Sequence, residues 1–297
     1  MTYNVEGLPW PIRSWRGMRL RAIGRELAAL RELGLEPDVV LLQEGFRDEM
    51  PQLIRISGYP HVARGPLKDQ RDAAKTRPDR KRFARVRYFD KGEGWGKWGS
   101  SGLWVLSNHP INWVKSHAYS YCAGLDCLAN KGVMLVSLAV PGLPMPVEIA
   151  NTHLNSKGAS GVPHSRHRMA HHLQAEELKA FLEQDRTPGS PLIVGGDFNV
   201  RRAADRYDYV MTRYPFEVVS QTCRQAPQNC DVRISGDGDA PWLDTQDLIG
   251  FKHGDQVTIR PIRVEARFDG SDTAGPAFSD HDAYQVTFRL TPTPTRP

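Results

Sequence analysis

The sequence has no apolar run long enough to cross a bilayer. Its longest such stretch, Gly132 to Ala150, is interrupted by Pro141, Pro144 and Pro146, so it reads as two strands joined by a Pro-Gly turn. Internal repeats are absent, and no shift in composition marks a linker. One domain over residues 1–290 is therefore expected, followed by a disordered Pro/Thr tail, TPTPTRP, over 291–297. No signal-peptide pattern is visible. The chain opens at MTYNV on what reads as a first core strand, so the expectation is a removed leader or a natural start further upstream. Cysteine is scarce, with four in 297 residues, and none is spaced Cys-x-x-Cys, which argues against a zinc ribbon. The four fall in two close pairs, Cys122/Cys127 and Cys223/Cys230, in loop sequence. Read as two local disulfides, they imply an oxidising compartment, secreted or periplasmic. The competing reading is four free thiols in a cytosolic enzyme.

What is present is a chain with 40% hydrophobic residues, enough for a large core. Its net charge of +5 is uneven: residues 64–87 hold ten Lys or Arg against three Asp, a net +7, which leaves −2 for the rest. Such a segment favours an anionic partner, either nucleic acid or membrane headgroups, over a merely solvated loop. Apolar runs alternate with helical patterns. Leu20, Ile23, Leu27 and Leu30 predict a helix over 15–33, stopped by Gly34 and Pro37. Leu173, Leu178, Phe181 and Leu182 predict the inner face of another over about 165–184. DVVLLQE (38–44), GLWVLSN (102–108), KGVMLVSLAV (131–140), MPVEIANTHL (145–154) and PLIVGGDFNV (191–200) read as strands, and LDTQDLIGF and DAYQVTFRL supply the last ones. Hairpins mixed with helices suggest two sheets packed face to face with helices outside.

The chemistry-bearing residues gather at strand ends. In GGDFN, two glycines allow a sharp turn, and Asp197 and Asn199, two apart, point the same way in an extended chain. A carboxylate and an amide oxygen suit a hard cation such as Mg²⁺ rather than zinc, although a plain Asx turn explains the same residues. Glu44 ends an apolar run and is either a charge facing water or a ligand. Asn4 in TYNV poses the same choice. His153 closes ANTH. In SDHD, Asp280 and His281 adjoin: a carboxylate beside an imidazole near a metal suits activation of water, with the imidazole taking the proton and Asp247, in QDLIGF, the candidate to orient it. His164, His167, His171 and His172 read as helix-surface residues. His167 and His171 have metal-ligand spacing but lack the accompanying Glu of a zinc-protease helix.

Taken together and in order, Asn4, Gln43-Glu44, Thr152-His153, Gly196-Asp197-Phe198-Asn199 and Ser279-Asp280-His281 resemble the pattern of the endonuclease/exonuclease/phosphatase (DNase I-like) superfamily over nearly the whole chain. The resemblance implies a four-layer α/β sandwich, two packed mixed β-sheets flanked by helices, with a Mg²⁺ site at one end of the sheets. ANKGVM (129–134), the opening TYNVEGLPW and SSGLWVLSNHPI are similar to the neutral sphingomyelinase and phospholipase C-like branch. Deoxyribonuclease-like and abasic-site-nuclease-like members match less well. Residues 64–87 look like an insertion. No clear aromatic hairpin of the kind that anchors secreted bacterial sphingomyelinases is visible, and Trp95 and Trp98 are the nearest candidates.

The resemblance implies a division of labour. Glu44 and Asn4 hold Mg²⁺, with Mn²⁺ able to replace it. Asp197 and Asn199, with Asp280, hold the attacking water or a second metal. His281 is the general base, supported by Asp280 or Asp247. His153 donates to phosphoryl oxygens or to the leaving group, and Lys131 adds positive charge. The expected function is hydrolysis of a phosphodiester, a lipid headgroup before nucleic acid, by a monomer that touches anionic membrane through residues 64–87. A metal-dependent nuclease, a phosphoinositide-type phosphomonoesterase and a catalytically silent binding module are the alternatives.

Overall fold

A computed structural model describes residues 1–8, 14–73, 83, 85–214, 216–233, 247–271 and 275–293. The first helix, α1 (Arg16–Glu32), forms where expected. Leu20, Ile23 and Leu27 are fully buried at helical spacing, and Gly34 turns left-handed (φ 65°), so that the Leu35 amide reaches back to the Leu30 carbonyl at 2.8 Å. It packs with α2 (Met50–Ser57) on β1 (Thr2–Asn4) and β2 (Val39–Gln43), burying Tyr3, Val40, Leu42 and Leu53. β1 and β2 belong to a seven-stranded sheet of order β10-β12-β13-β1-β2-β4-β3. Its remaining members are β3 (His61–Arg64), β4 (Trp104–Ser107), β10 (Asp231–Arg233), β12 (Val257–Arg267) and β13 (Ala283–Pro292).

The second sheet has six strands in the order β5-β6-β7-β8-β11-β9: β5 (Ile111–Ala118), β6 (Gly132–Leu138), β7 (Val147–His153), β8 (Leu192–Asp197), β9 (Glu217–Val218) and β11 (Asp247–Lys252). Its outer face is covered by α3 (His164–Asp185), whose Leu178, Phe181 and Leu182 meet Leu135, Ala150 and Val194. Two short helices, α4 (Ala204–Met211) and α5 (Val219–Gln225), complete the layer. Between the sheets lie Leu41, Val105, Met134, Val136 and Ile149. Both sheets are mixed, because β1 runs parallel to β2 and β7 parallel to β8. The arrangement is helix, sheet, sheet, helix, the expected four-layer α/β sandwich.

Several elements depart from the sequence reading. β12 was not foreseen, because Pro261 interrupts its pattern. The strand accommodates the proline at a register shift between Pro261 and Arg263. The boundary expected after residue 290 falls inside β13, where Thr291 and Pro292 pair with Thr258 and Val257. Residues 294–297 of the tail lie outside the described residues. Arg64, counted with the basic loop, belongs to β3, and residues 74–82 and 84 of that segment also lie outside the described residues. Both cysteine pairs are bridged, Cys122–Cys127 and Cys223–Cys230.

The sheets are tied together by a buried polar contact. Gln43, at the end of β2, donates through Nε2 to Asn151 Oδ1 on β7 at 2.7 Å and to Thr2 Oγ1 at 3.0 Å. Asn151 Nδ2 in turn donates to the carbonyls of Leu42 and Trp104 at 3.0 and 2.9 Å. The residue pattern QE and the N of NTH are therefore partly structural. Replacing Asn151 by Leu takes the Asn151 donor from the Leu42 and Trp104 carbonyls and the Asn151 acceptor from Gln43, which keeps Thr2 Oγ1 and the Leu41 carbonyl. An expected loss of about 2–4 kcal/mol, read from urea unfolding, checks the assignment; a loss near zero counts against it.

Candidate active site

Register explains why distant residues converge. β7 and β8 are parallel with His153 opposite Asp197, and β8 and β11 are antiparallel with Asp197 opposite Asp247. Lys131 immediately precedes β6, whose Val133 pairs with Thr152. Lys131, His153, Asp197 and Asp247 thus form one row across the end of the second sheet. On the first sheet, Asn4 pairs with Gln43, which places Glu44 one residue beyond. His281 lies just ahead of β13, the neighbour of β1.

The side chains contact one another across the gap between the sheets. Asn4 Nδ2 donates to Asp197 Oδ2 at 3.1 Å. The same oxygen is 3.3 Å from His153 Nε2 and 3.9 Å from His281 Nε2. His281 Nδ1 meets Asp247 Oδ2 at 2.6 Å. Lys131 Nζ lies 2.9 Å from His153 Nε2 and donates to Asp126 Oδ2 at 3.0 Å and to the Leu154 carbonyl at 3.1 Å. An ammonium group only donates, so His153 Nε2 accepts and the imidazole proton sits on Nδ1. Asn199 donates through Nδ2 to the Leu154 carbonyl at 3.0 Å. Six of the expected residues and Asn199 are thereby joined, with half-buried Glu44 at the edge of the same cluster.

The electrostatics follow from burial. Desolvation raises the Glu44 carboxyl above its ordinary range, opposed by Lys131, by a hydrogen bond from Asn4 and by His281. Asp197 is pushed up to about 7 by burial, with Asp247 and Glu44 adding to the rise and His281 and Lys131 opposing it. His153 is held well below the ordinary imidazole value by burial beside Lys131 and His281. Burial alone would also lower His281, but the charge and hydrogen bond of Asp247, helped by Asp197 and Asp280, raise it to about 10. Two imidazoles a few ångströms apart are thus driven in opposite directions, the pattern that separates acid and base roles.

Some details of the sequence reading are corrected. The chain does not turn at Gly195-Gly196; both lie in β8. Gly196 (φ 147°) is required because a Cβ there would stand 2.1 Å from the Thr152 carbonyl of β7. Asp197 and Asn199 are not aligned by an extended chain either. Asp197 Oδ1 accepts the Asn199 amide at 2.9 Å, an Asx turn that places Asn199 at φ 53°. Glu44 is also left-handed, at φ 57°, a strained conformation of the kind that clusters at functional sites. Asp280 is exposed and touches Ser279 rather than the cluster, so it acts on His281 and Glu44 only at a distance. Asp247 is the group that meets the His281 ring.

Asp126 was not singled out by sequence. It joins Lys131 and the Ser156 amide, and its only sequence signal is its place inside the Cys122–Cys127 loop. The helix-surface reading of the four histidines holds only for His164. His171 is fully buried, His167 nearly so, and His172 stacks half-buried on Tyr209 with ring centroids 3.7 Å apart.

The donor set fits a hard cation. Glu44 and Asp197 are desolvated carboxylates whose ionised forms a positive charge would restore, and the Asn4 amide lies beside both, with Nδ2 on Asp197 and Oδ1 accepting the Glu6 amide at 3.0 Å. Among the described residues no three His, Cys, Asp or Glu side chains are grouped as a ready-made metal cage. One or two carboxylates completed by water and substrate phosphate is the usual environment of Mg²⁺.

Fold and site together define a phosphoester hydrolase of the sandwich type. Residues 1–281 match the pattern of the Endonuclease/Exonuclease/phosphatase family, and the chain belongs to that family. It is 24% identical over 206 residues to sphingomyelin phosphodiesterase 2 of Rattus norvegicus, covering 63% of this chain and 47% of that protein. The chain spans about half the length of the curated relatives it matches. Among solved structures, beta toxin of Staphylococcus aureus superposes with a TM-score of 0.65 at 18% identity over 96% of this chain and 98% of the other. A variant of that toxin with bound magnesium ions gives 0.61 at 17% identity, over 97% of this chain and 93% of the other. A humanized D. rerio TDP2 also gives 0.61, at 14% identity over 97% of each chain. At these identities the superpositions speak for the fold alone.

The His281–Asp247 contact has a pH signature. A folded-state value above the ordinary 6.5 stabilises the protein fully below about pH 6.5, and this contribution disappears as pH rises through about 10. In metal-free protein, the His281 ring observed by NMR is expected to stay protonated at pH 8, and Asp247→Asn to bring its titration down toward the ordinary value. Titration near 6.5 in both proteins contradicts the contact.

Proposed function

We propose that the protein is a Mg²⁺-dependent phosphodiesterase of the sphingomyelinase or phospholipase C type, which releases a phosphorylated headgroup such as phosphocholine from a lipid. The observation that carries the hydrolytic part is the imidazole of His281, held by Asp247 at 2.6 Å and facing Asp197. In this reading Glu44 and Asn4 hold the metal, which when bound supplies Lewis-acid charge for the phosphoryl oxygens. Asp197 and Asn199 hold the attacking water. His281, which the positive charge of a bound cation would leave neutral by offsetting Asp197 and Asp247, takes its proton, and Asp247 fixes the ring and stabilises the resulting imidazolium. Lys131 offsets the charge of the pentacovalent state with its ammonium, and His153 donates to a phosphoryl oxygen in the tautomer with its proton on Nε2, the nitrogen that faces Asp197, once a phosphoryl oxygen replaces Nε2 as the Lys131 acceptor. Asp280, exposed beside His281, adds long-range negative charge.

The lipid part is supported by an exposed aromatic group anchored beside this machinery. Phe89, Trp95 and Trp98 are 63%, 44% and 63% exposed. The two indoles stack at 5.8 Å, and Phe89 lies 6.5 Å from Trp95. Their loop is held rather than loose. Glu93 is buried in a two-point ion pair with Arg166, and the Trp98 amide donates to the Leu128 carbonyl at 2.7 Å. Residues 124–128 also carry Asp126, the partner of Lys131. Aromatic rings presented on a fixed loop suit the interface of a bilayer. The described cations Lys68, Arg71, Arg85 and Arg87 are exposed and suit anionic headgroups. The two disulfides support a secreted or periplasmic location.

Chelation with EDTA is expected to abolish headgroup release, and Mg²⁺ or Mn²⁺ to restore it. Glu44→Ala, Asp197→Ala and His281→Ala should each fold and lose about 10²-fold or more in kcat. Full turnover by the His281 variant defeats the mechanism. Trp95→Ala combined with Trp98→Ala should lower activity on phosphatidylcholine or sphingomyelin vesicles by about tenfold or more, while a soluble phosphodiester is cleaved as before. Efficient degradation of plasmid DNA with no headgroup release from any lipid transfers the case to a nuclease.

A further inference from the structure

The inner face of α3 is apolar only toward its C-terminal end. Toward its N-terminal end the buried positions are His167, His171, Gln174 and Glu177, at helical spacing and between 0% and 5% exposed. Each is hydrogen-bonded to the framework of the loops that carry the site. His171 Nε2 donates to the Phe198 carbonyl at 2.8 Å, within GDFN. Gln174 accepts the Asn155 amide at 2.6 Å, two residues after His153, and donates to the Tyr121 carbonyl at 2.6 Å. Glu177 accepts the Ser120 amide at 2.8 Å.

His167 accepts a hydrogen bond at Nδ1 from Arg206 Nη2 at 2.6 Å. Arg206, from α4, is wholly buried and is the largest such side chain in the described structure. Its Nη1 donates to the Asn155 carbonyl at 2.7 Å and to the Asn199 carbonyl at 3.2 Å, and Nη2 reaches the Ser156 carbonyl at 3.3 Å. One planar fork therefore spans the segment after His153 and the segment after Asp197. The adjacent Asp205 pairs outward with His164 and Arg168 instead. A buried cation that binds carbonyls in place of a carboxylate has a large desolvation cost, so packing alone is a poor reason for its presence.

We propose that Arg206, seated on the buried polar face of α3, is a positioning residue that sets His153 against Asp197 and Asn199. It touches no substrate, since it is fully enclosed. It acts by holding two loops in one register, and a displacement of about 1 Å at a reacting group costs on the order of a hundredfold in rate. Lysine keeps the charge but cannot span three carbonyls with a rigid fork.

The proposal rests on the phosphodiesterase reading for its kinetic arm only. Arg206→Lys is expected to fold, to lose about tenfold or more in kcat on bis(p-nitrophenyl) phosphate with Mg²⁺, and to change KM by less than about threefold. Independently of activity, hydrogen exchange of the Leu154 and Asn199 amides should quicken about tenfold or more in that variant, while amides of β6 and β13 keep their protection. Should Arg206→Lys fail to fold, the pair His171→Gln and His171→Leu decides. Glutamine retains a donor for the Phe198 carbonyl and should recover most of the slow exchange and turnover that leucine loses. Wild-type exchange and kcat in a folded Arg206→Lys, or equal behaviour of the two His171 variants, overturns the proposal. A wild-type protein that cleaves no phosphodiester overturns the functional reading and leaves the exchange measurement to judge the clamp.

Discussion

The hydrogen bond between Gln43 and Asn151, 2.7 Å long, crosses from one sheet to the other directly beneath the site. Two sheets packed on aliphatic side chains can slide, because such contacts are short-ranged and non-directional. A buried amide pair cannot, because each displaced donor or acceptor is left without water. With Asn151 also bound to the Leu42 and Trp104 carbonyls, β2 and β7 meet at one level. Glu44 is the next residue after Gln43, and His153 is two after Asn151. Their separation is therefore inherited from a contact that takes no part in chemistry.

On that frame the chain concentrates charge that water does not screen. Asp197 carries the conflict: it is buried, faces two histidines and receives the Asn4 amide. Its raised value and the raised value of Glu44 have one cause, loss of hydration. A divalent cation bound between them would relieve both at once, and its affinity would then be tied to the same burial that raises both carboxyls. Arg206 and Lys131 offset part of the negative charge from behind, through carbonyls and through Asp126.

Much of this was legible from residue order. Apolar runs of strand length and helical spacing located α1, β2, β6, β7, α3, β8 and β13, and the polar residues closing those runs include Glu44, His153 and Asp197. Less was legible where two physical readings share a pattern. Gly195 and Gly196 read as a turn because glycine permits turns, yet Gly196 is needed for the close approach of β7 backbone and Gly195 lies against the Leu41 side chain of the other sheet, properties of neighbours remote in sequence. His167 and His171 read as surface residues because imidazoles on a helix usually are. Their burial depends on Arg206 and the Phe198 carbonyl arriving from another segment. Asp247 is the residue that the sequence offers to orient His281, with Asp280 an alternative, and the 2.6 Å contact between Asp247 Oδ2 and the ring agrees with the first.

The sequence by itself determined which elements form and which chemistry they carry, because hydrophobic periodicity and the donor types of Asn, Glu, Asp and His are local properties. It also determined the family, since the polar residues occur in one order at the ends of those elements. Tertiary structure alone decided which Asp reaches the His281 ring, which imidazole burial drives down and which Asp247 drives up, and that Asp126 and Arg206 are hydrogen-bonded to the segments that carry the site. Those outcomes depend on strand register, burial and distances of a few ångströms between residues far apart in the chain. No spacing along the sequence encodes them, because the field at a buried group is set by whatever the fold brings beside it.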